Sequence, residues 1–304
     1  MRAGVIHPDR ILRKLDDLWV ALGGPSDGEN REEVLRACAM TLLVLTSDPA
    51  GDPALAETLA ALMRDHPSRA IVIGVAGDTE RRLSADVTAR CWMPFGRGQQ
   101  ICSEQIEITA TAGALADLPP VILALTAADL PVVAWVRTTR LLAEDSLLPL
   151  FRLAGKVILD SAAESDFPVL LHRIRRLSAV VETVADLSWT RLTRWRAAIA
   201  DAYDEAVQRI RISHHGPVPP PSALYLAAWL ENAVGEGLSV SFASHPDASA
   251  NDDIREVTLE GPDRQISVSR TAVPPVPERG LLAEELSLVE RDPIFEAALE
   301  RVLA

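Results

Sequence analysis

Two short runs of uninterrupted apolar residues, Met40–Thr46 (MTLLVLT) and Ala70–Val75 (AIVIGV), constrain the fold of this chain more than anything else in it. A strand that is apolar on both faces must be covered on both faces, which is the habit of parallel sheets sandwiched between helices. Ala54–Arg64, between the two runs, has helical spacing, so the unit reads strand–helix–strand with a right-handed crossover. Leu83–Met93 and Gln100–Thr111 read as two further strands, Leu115–Ala127 as a helix, Pro131–Arg137 (PVVAWVR) as a buried strand and Val157–Asp160 as the last. Residues 39–162 are therefore predicted to form an α/β domain with a mixed, partly parallel sheet.

The flanking segments differ. Ile11, Leu12, Leu15, Leu18 and Trp19 share a helical face, Gly23-Gly24-Pro25 breaks the pattern, and a second short helix is predicted at Glu32–Cys38. Residues 1–38 thus read as an N-terminal helical segment. Beyond residue 163 come helices at Phe167–Val181 and Ser188–Ala206, and a short strand at Gln208–Ser213. A stiff proline-rich connector (Gly216–Pro221) and a helix at Ser222–Val234 follow. Leu238–Ser244, Ile254–Glu260 and Gln265–Thr271 alternate as a three-stranded antiparallel meander, its last turn at Gly261-Pro262-Asp263. Two helices close the chain, the second opened by Asp292-Pro293, a cap followed by proline at the first helical position. Residues 163–304 are predicted to be an α+β C-terminal domain.

At 304 residues there is room for two cores, and the formal net charge is -13. Such a surface repels phosphate backbones and anionic lipid, so neither nucleic acid nor membrane is an expected partner. Three cysteines are too few for a disulfide scaffold, and Met1–Val20 lacks the pattern of a secretory signal. The most apolar window, Leu118–Val136, is interrupted by Asp129 and three prolines and reads as helix, turn and strand. These features point to a soluble, cytoplasmic chain.

Cofactor and catalytic motifs are missing. A phosphate-binding turn needs glycines that let backbone amides approach. Here the turn after the first strand is Ser47-Asp48-Pro49-Ala50-Gly51-Asp52, with carboxylates where phosphate would sit. The turn after the second, Gly74-Val75-Ala76-Gly77-Asp78, is again acidic, although Arg81 and Arg82 could offset that charge at a sugar-phosphate site. No Walker A or GxSxG sequence occurs, and His214-His215 with His245 lacks metal-ligand spacing. No cofactor, metal or catalytic residue is assigned. A sugar-phosphate-binding α/β enzyme is the alternative reading.

Three groups of residues stand out. His66, Ser68 and Arg69 (His66-Pro67-Ser68-Arg69) either close a helix and start a strand or touch a partner. Cys91 and Cys102 lie in adjacent predicted strands, as buried free thiols or as a redox pair. Trp189, Trp195 and Arg196 lie on the helix predicted at Ser188–Ala206, with Arg196 inside the apolar stripe. A guanidinium there needs a carboxylate, carbonyls or an aromatic partner, supplied either by this chain or across an interface.

The ordered segments Asp65-His66-Pro67-Ser68-Arg69, Asp129-Leu130-Pro131-Val132-Val133-Ala134-Trp135, Asp186-Leu187-Ser188-Trp189-Thr190-Arg191-Leu192 with Trp195-Arg196, Tyr225-Leu226-Ala227-Ala228-Trp229-Leu230, and Arg291-Asp292-Pro293-Ile294-Phe295-Glu296-Ala297-Ala298-Leu299 resemble the glucose-6-phosphate dehydrogenase assembly protein (OpcA) family. They run from about residue 40 to the end, and their order makes the resemblance specific. It implies a non-catalytic protein that binds glucose-6-phosphate dehydrogenase, promotes its assembly and activates it in the oxidative pentose phosphate pathway. It carries over no catalytic residues. Some relatives in photosynthetic bacteria are redox-controlled through cysteines, and none of those positions is matched onto Cys38, Cys91 or Cys102.

Overall fold

The computed structural model describes residues 7–22, 33–47, 53–92, 99–203, 207–235, 237–245, 254–288 and 290–304. The chain divides into two compact units, Met1–Leu159 with Arg173–Val184, and Asp160–His172 with Ala185–Ala304. The acidic turn 48–52 and the Gly23-Gly24-Pro25 break lie outside the described residues. Among the described residues no helix is long and apolar enough to cross a membrane.

The first unit opens with α1 (Pro8–Leu22), which buries Ile11 and Leu15, and the short β1 (Glu33–Arg36). Then come β2 (Met40–Thr46), α2 (Pro53–Asp65), β3 (Ser68–Ala76), β4 (Leu83–Trp92) and β5 (Gln99–Thr111). A 3₁₀ turn, α3 (Leu118–Leu125), β6 (Val132–Val136), α4 (Leu148–Phe151) and β7 (Lys156–Leu159) follow. The two apolar runs are β2 and β3. Every residue of β2 is buried, and it lies between β3 and β6, parallel to both. α2 forms because Leu55, Leu59 and Leu62 share one buried face, and it ends where Pro67 denies the next turn a donor. β5 is the long member. Its residues 99–102 pair with β1 and residues 105–111 with β3, both parallel, while β4 takes the other edge antiparallel. The sheet is mixed and helices pack on it, as the sequence predicts.

In the segment predicted as a helix at Glu32–Cys38, the described residues are not helical. Glu33–Arg36 pairs as β1 with β5. Seven residues are too short to sustain an isolated helix, and the open edge of β5 offers hydrogen bonds a helix would have to find alone.

β5 also carries Glu104, 2% exposed. Arg69 Nε donates to Glu104 Oε2 at 2.6 Å, Arg36 reaches Oε1 at 2.5 Å, and Trp19 Nε1 donates to Oε1 at 2.7 Å. Arg69 Nη1 goes on to donate to the carbonyl of Leu125 at 2.7 Å. One buried carboxylate thereby ties α1, β1, β3, β5 and, through Arg69, α3.

α5 (Phe167–Ser178) and β8 (Thr183–Asp186) each contribute to both units, and β8 completes the order β1-β5-β3-β2-β6-β7-β8. The second unit continues with α6 (Leu187–Thr190), α7 (Thr193–Ala202), β9 (Arg209–His215), α8 (Pro221–Val234), β10 (Ser239–His245), β11 (Ile254–Glu260), β12 (Gln265–Ser269), α9 (Glu278–Ser287) and α10 (Pro293–Leu303). The predicted meander is redrawn. Its last hairpin, β11–β12, is antiparallel as expected, but β9 lies between β10 and β11, and β10 is parallel to β9. β9 buries Ile210, Ile212 and His214 on one face and needs a ladder on both sides. β10 is serine-rich and largely exposed, which suits an edge, and α8 makes the crossover that a parallel neighbour requires. α8 begins at Pro221 and stops at Gly235, whose φ of +81° is left-handed backbone open to glycine.

Replacing Glu104 by Ala should strand the buried Arg69 guanidinium and cost on the order of 3–5 kcal/mol. Arg36→Ala, at a half-exposed position, should cost about 1 kcal/mol or less. Chemical unfolding of the two variants checks the contrast.

Candidate functional site

In the second unit a polar string runs through an aromatic cluster. Asp186, fully buried, caps α6 by accepting from the Ser188 amide at 2.9 Å, and it also accepts from the Ser161 amide at 3.0 Å and the Tyr225 hydroxyl at 3.0 Å. Next to it, Asp160 is held in a two-pronged pair by Arg191, at 2.7 and 2.6 Å. Burial, reinforced by the charge of Asp160, pushes the Asp186 carboxyl up to about 6 from 3.8. Burial and the neighbouring Asp186 also push the Tyr225 phenol well up. The ring of Tyr225 packs edge-on against Phe167, Trp189 and Phe295.

Trp189 donates its Nε1 to Asp292 Oδ2 at 2.8 Å, while Asp292 Oδ1 caps α10 through the amides of Ile294 and Phe295. The other partner of Trp189 is Arg196, whose guanidinium carbon stands 3.9 Å from the ring centroid. In one straight helix these residues, seven apart, would be separated by roughly 10 Å along the axis. The predicted helix Ser188–Ala206 is instead broken at Arg191-Leu192 into α6 and α7, and a long side chain leaning toward its helix N-terminus closes the distance. Arg196 thus meets an aromatic face. Among the described residues its guanidinium makes no hydrogen bond or ion pair, and Nε is buried without an acceptor.

The remaining candidates fall apart from this cluster. Trp195 is only 2% exposed, a core residue of α7. His66 is half-buried, Ser68 and Arg69 are buried, and Arg69 is engaged by Glu104 and Leu125, so its place is internal to the first unit. Cys91 and Cys102, directly opposed on β4 and β5 with Cα atoms 4.1 Å apart, form a disulfide, whereas Cys38 is free. This corrects the reading of the pair as free buried thiols. Antiparallel register sets the two side chains face to face.

Beyond the carboxyl ends of β3 and β5, the loop that carries Thr79 packs on the 3₁₀ turn Ala112–Asp117. Gly113 lies so close beneath the loop that a Cβ would sit 2.3 Å from the Thr79 carbonyl oxygen. Arg81 is paired with Asp117 at 2.7 Å, and Arg82 with Glu80 and Asp78. Both cations that could answer a phosphate are already answered. Among the described residues no group of His, Cys, Asp and Glu is placed to hold a metal ion.

Two family models match in tandem. They describe the N-terminal and C-terminal domains of a glucose-6-phosphate dehydrogenase subunit, and they match residues 59–176 and 182–299 respectively. The chain belongs to the OpcA family. It is 27% identical over 236 residues to the putative OxPP cycle protein OpcA of Nostoc punctiforme, covering 74% of this chain and 49% of that one. To the protein of the same description from a Synechocystis species it is 28% identical over 158 residues, covering 51% and 32%. The chain spans about half the length, or less, of these two OpcA relatives. Among solved structures it overlays on myo-inositol 2-dehydrogenase from Lactobacillus plantarum with a TM-score of 0.46 and 9% identity, covering 86% of this chain and 94% of that one. A likeness this loose assigns no cofactor and no reaction.

The Asp186 carboxyl has a definite pH signature. Its folded value lies above its unfolded one, so between the two the folded state holds more protons, and stability falls as pH rises through that window. The stability of wild type relative to Asp186→Asn should therefore drop by roughly 2–3 kcal/mol between pH 4 and pH 7. Urea unfolding of both proteins across that range measures it.

Proposed function

We propose that this OpcA-family chain is a non-catalytic partner of glucose-6-phosphate dehydrogenase in the cytoplasm, binding the enzyme, promoting its assembly and activating it allosterically in the oxidative pentose phosphate pathway. The observation that carries this reading is the tandem match of both halves to domains whose descriptions name that dehydrogenase. The names of the cyanobacterial relatives, which refer to the OxPP cycle, point the same way. A non-catalytic role is supported by acidic strand-end turns and by Arg81 and Arg82, both neutralised within the chain. That same pairing counts against the alternative of a sugar-phosphate enzyme.

Co-purification of the tagged chain with untagged dehydrogenase from the same cell, followed by assay of the enzyme with and without it, tests the reading. Binding and a rise in dehydrogenase activity are expected, with no oxidation of glucose 6-phosphate by the purified chain alone. Turnover with NADP by the chain alone, at enzyme-like rates, would overturn the non-catalytic role. A failure to bind the dehydrogenase would overturn the partnership.

A further inference from the structure

We propose that the Arg196 guanidinium, stacked on Trp189, anchors a protein-binding surface that takes main-chain carbonyl oxygens from a partner segment carrying a basic side chain beside them. The proposal rests on the reading of this chain as a partner protein and names the contact chemistry.

An arginine carries five N–H donors and normally finds acceptors for them when it leaves water. Arg69 does so, through Glu104 and the Leu125 carbonyl. Arg196 does not. Its one partner among the described residues is the Trp189 ring, and its Nε is buried with no acceptor. Burial pulls its pKa down, and only the field of Asp292, Glu284 and Glu285 works against that. None of these carboxylates bonds to it. Glu284 accepts from the Thr193 hydroxyl at 2.8 Å, Glu285 from the Thr190 hydroxyl at 2.7 Å, and Asp292 from Trp189 and the first amides of α10. The carboxylates are held in place by these bonds, and the guanidinium lies over the ring. Nε is closed off from solvent, but the two terminal nitrogens make no bond among the described residues and stay open.

That charge pattern selects the occupant. A carboxylate or phosphate reaching Arg196 would bring its charge up to three carboxylates, a juxtaposition that costs affinity. A carbonyl oxygen brings no net charge, and a neighbouring lysine or arginine would meet the carboxylates favourably. Free carbonyls cluster at helix C-termini, where the last four lack partners and basic residues are favoured. A helix end of that kind has the matching chemistry. On either side of Asp292 in the sequence, Leu288 is 64% and Ile294 52% exposed.

The test titrates the full chain against glucose-6-phosphate dehydrogenase from the same cell, with thermal unfolding of each variant alongside. Arg196→Ala should weaken binding by roughly thirtyfold or more, with the melting temperature little changed. Arg196→Lys, which keeps the charge but loses the planar fork, should fall between the two. The double variant Glu284→Gln with Glu285→Gln retains acceptors for Thr190 and Thr193 while removing both charges, and it should also weaken binding several-fold. Tighter binding by that variant would show an anionic ligand at Arg196 and overturn the proposal. So would wild-type affinity in Arg196→Ala or, should that variant not fold, in Arg196→Lys. If the wild-type chain does not bind the dehydrogenase at all, the partner reading fails and this inference fails with it. Wild-type binding that is indifferent to Arg196 removes the inference alone.

Discussion

A carboxylate buried in a sheet must be answered from several directions at once, and Glu104 shows how much of the first unit follows from answering it. Its two oxygens take Arg69 from β3, Arg36 from β1 and the indole of Trp19 from α1. Leaving any of these out would leave charge in a poorly solvated place, so the short β1 is held at the edge of β5 and α1 against the sheet. β1 makes four paired positions and could not persist on its own hydrogen bonds. Asp186 plays a comparable part in the second unit, where it joins the turn at Ser161, the start of α6 and the hydroxyl of Tyr225.

What is legible in the sequence is what local pattern decides. β2 and β3 announce themselves because a strand covered on both faces has no polar positions to spare. The start of α10 is legible because Asp292 and Pro293 are cap chemistry within three residues. Partner choice is not legible. β9 and β10 lie side by side with α8 between them in sequence, and nothing in β10 says that its neighbour is β9 rather than β11. Glu104 sits among alternating residues and reads as a solvated position; the arginine that makes its burial tolerable is 35 residues away. The break at Arg191-Leu192 has neither glycine nor proline to mark it, so helical spacing runs straight through it. Cys91 and Cys102 can be placed in adjacent strands, but their face-to-face register depends on the connection between those strands.

The same limits shape the candidate site. Trp189, Trp195 and Arg196 stand together by spacing on one predicted helix, yet two of the three are core residues. Only Trp189 and Arg196 touch, across the turn that separates α6 from α7. Asp292, legible as a cap, proves to have a second role. It fixes the Trp189 indole, and so orients the ring on which Arg196 rests.

Two arginines of one chain can therefore be told apart by their donors. Arg69 lies deeper, but its acceptors are inside the chain, and its removal would be felt by the fold. Arg196 is half-buried and lies over the Trp189 ring, with no acceptor among the described residues. An open donor set, ringed by carboxylates that do not quench it, suits recognition better than it suits folding.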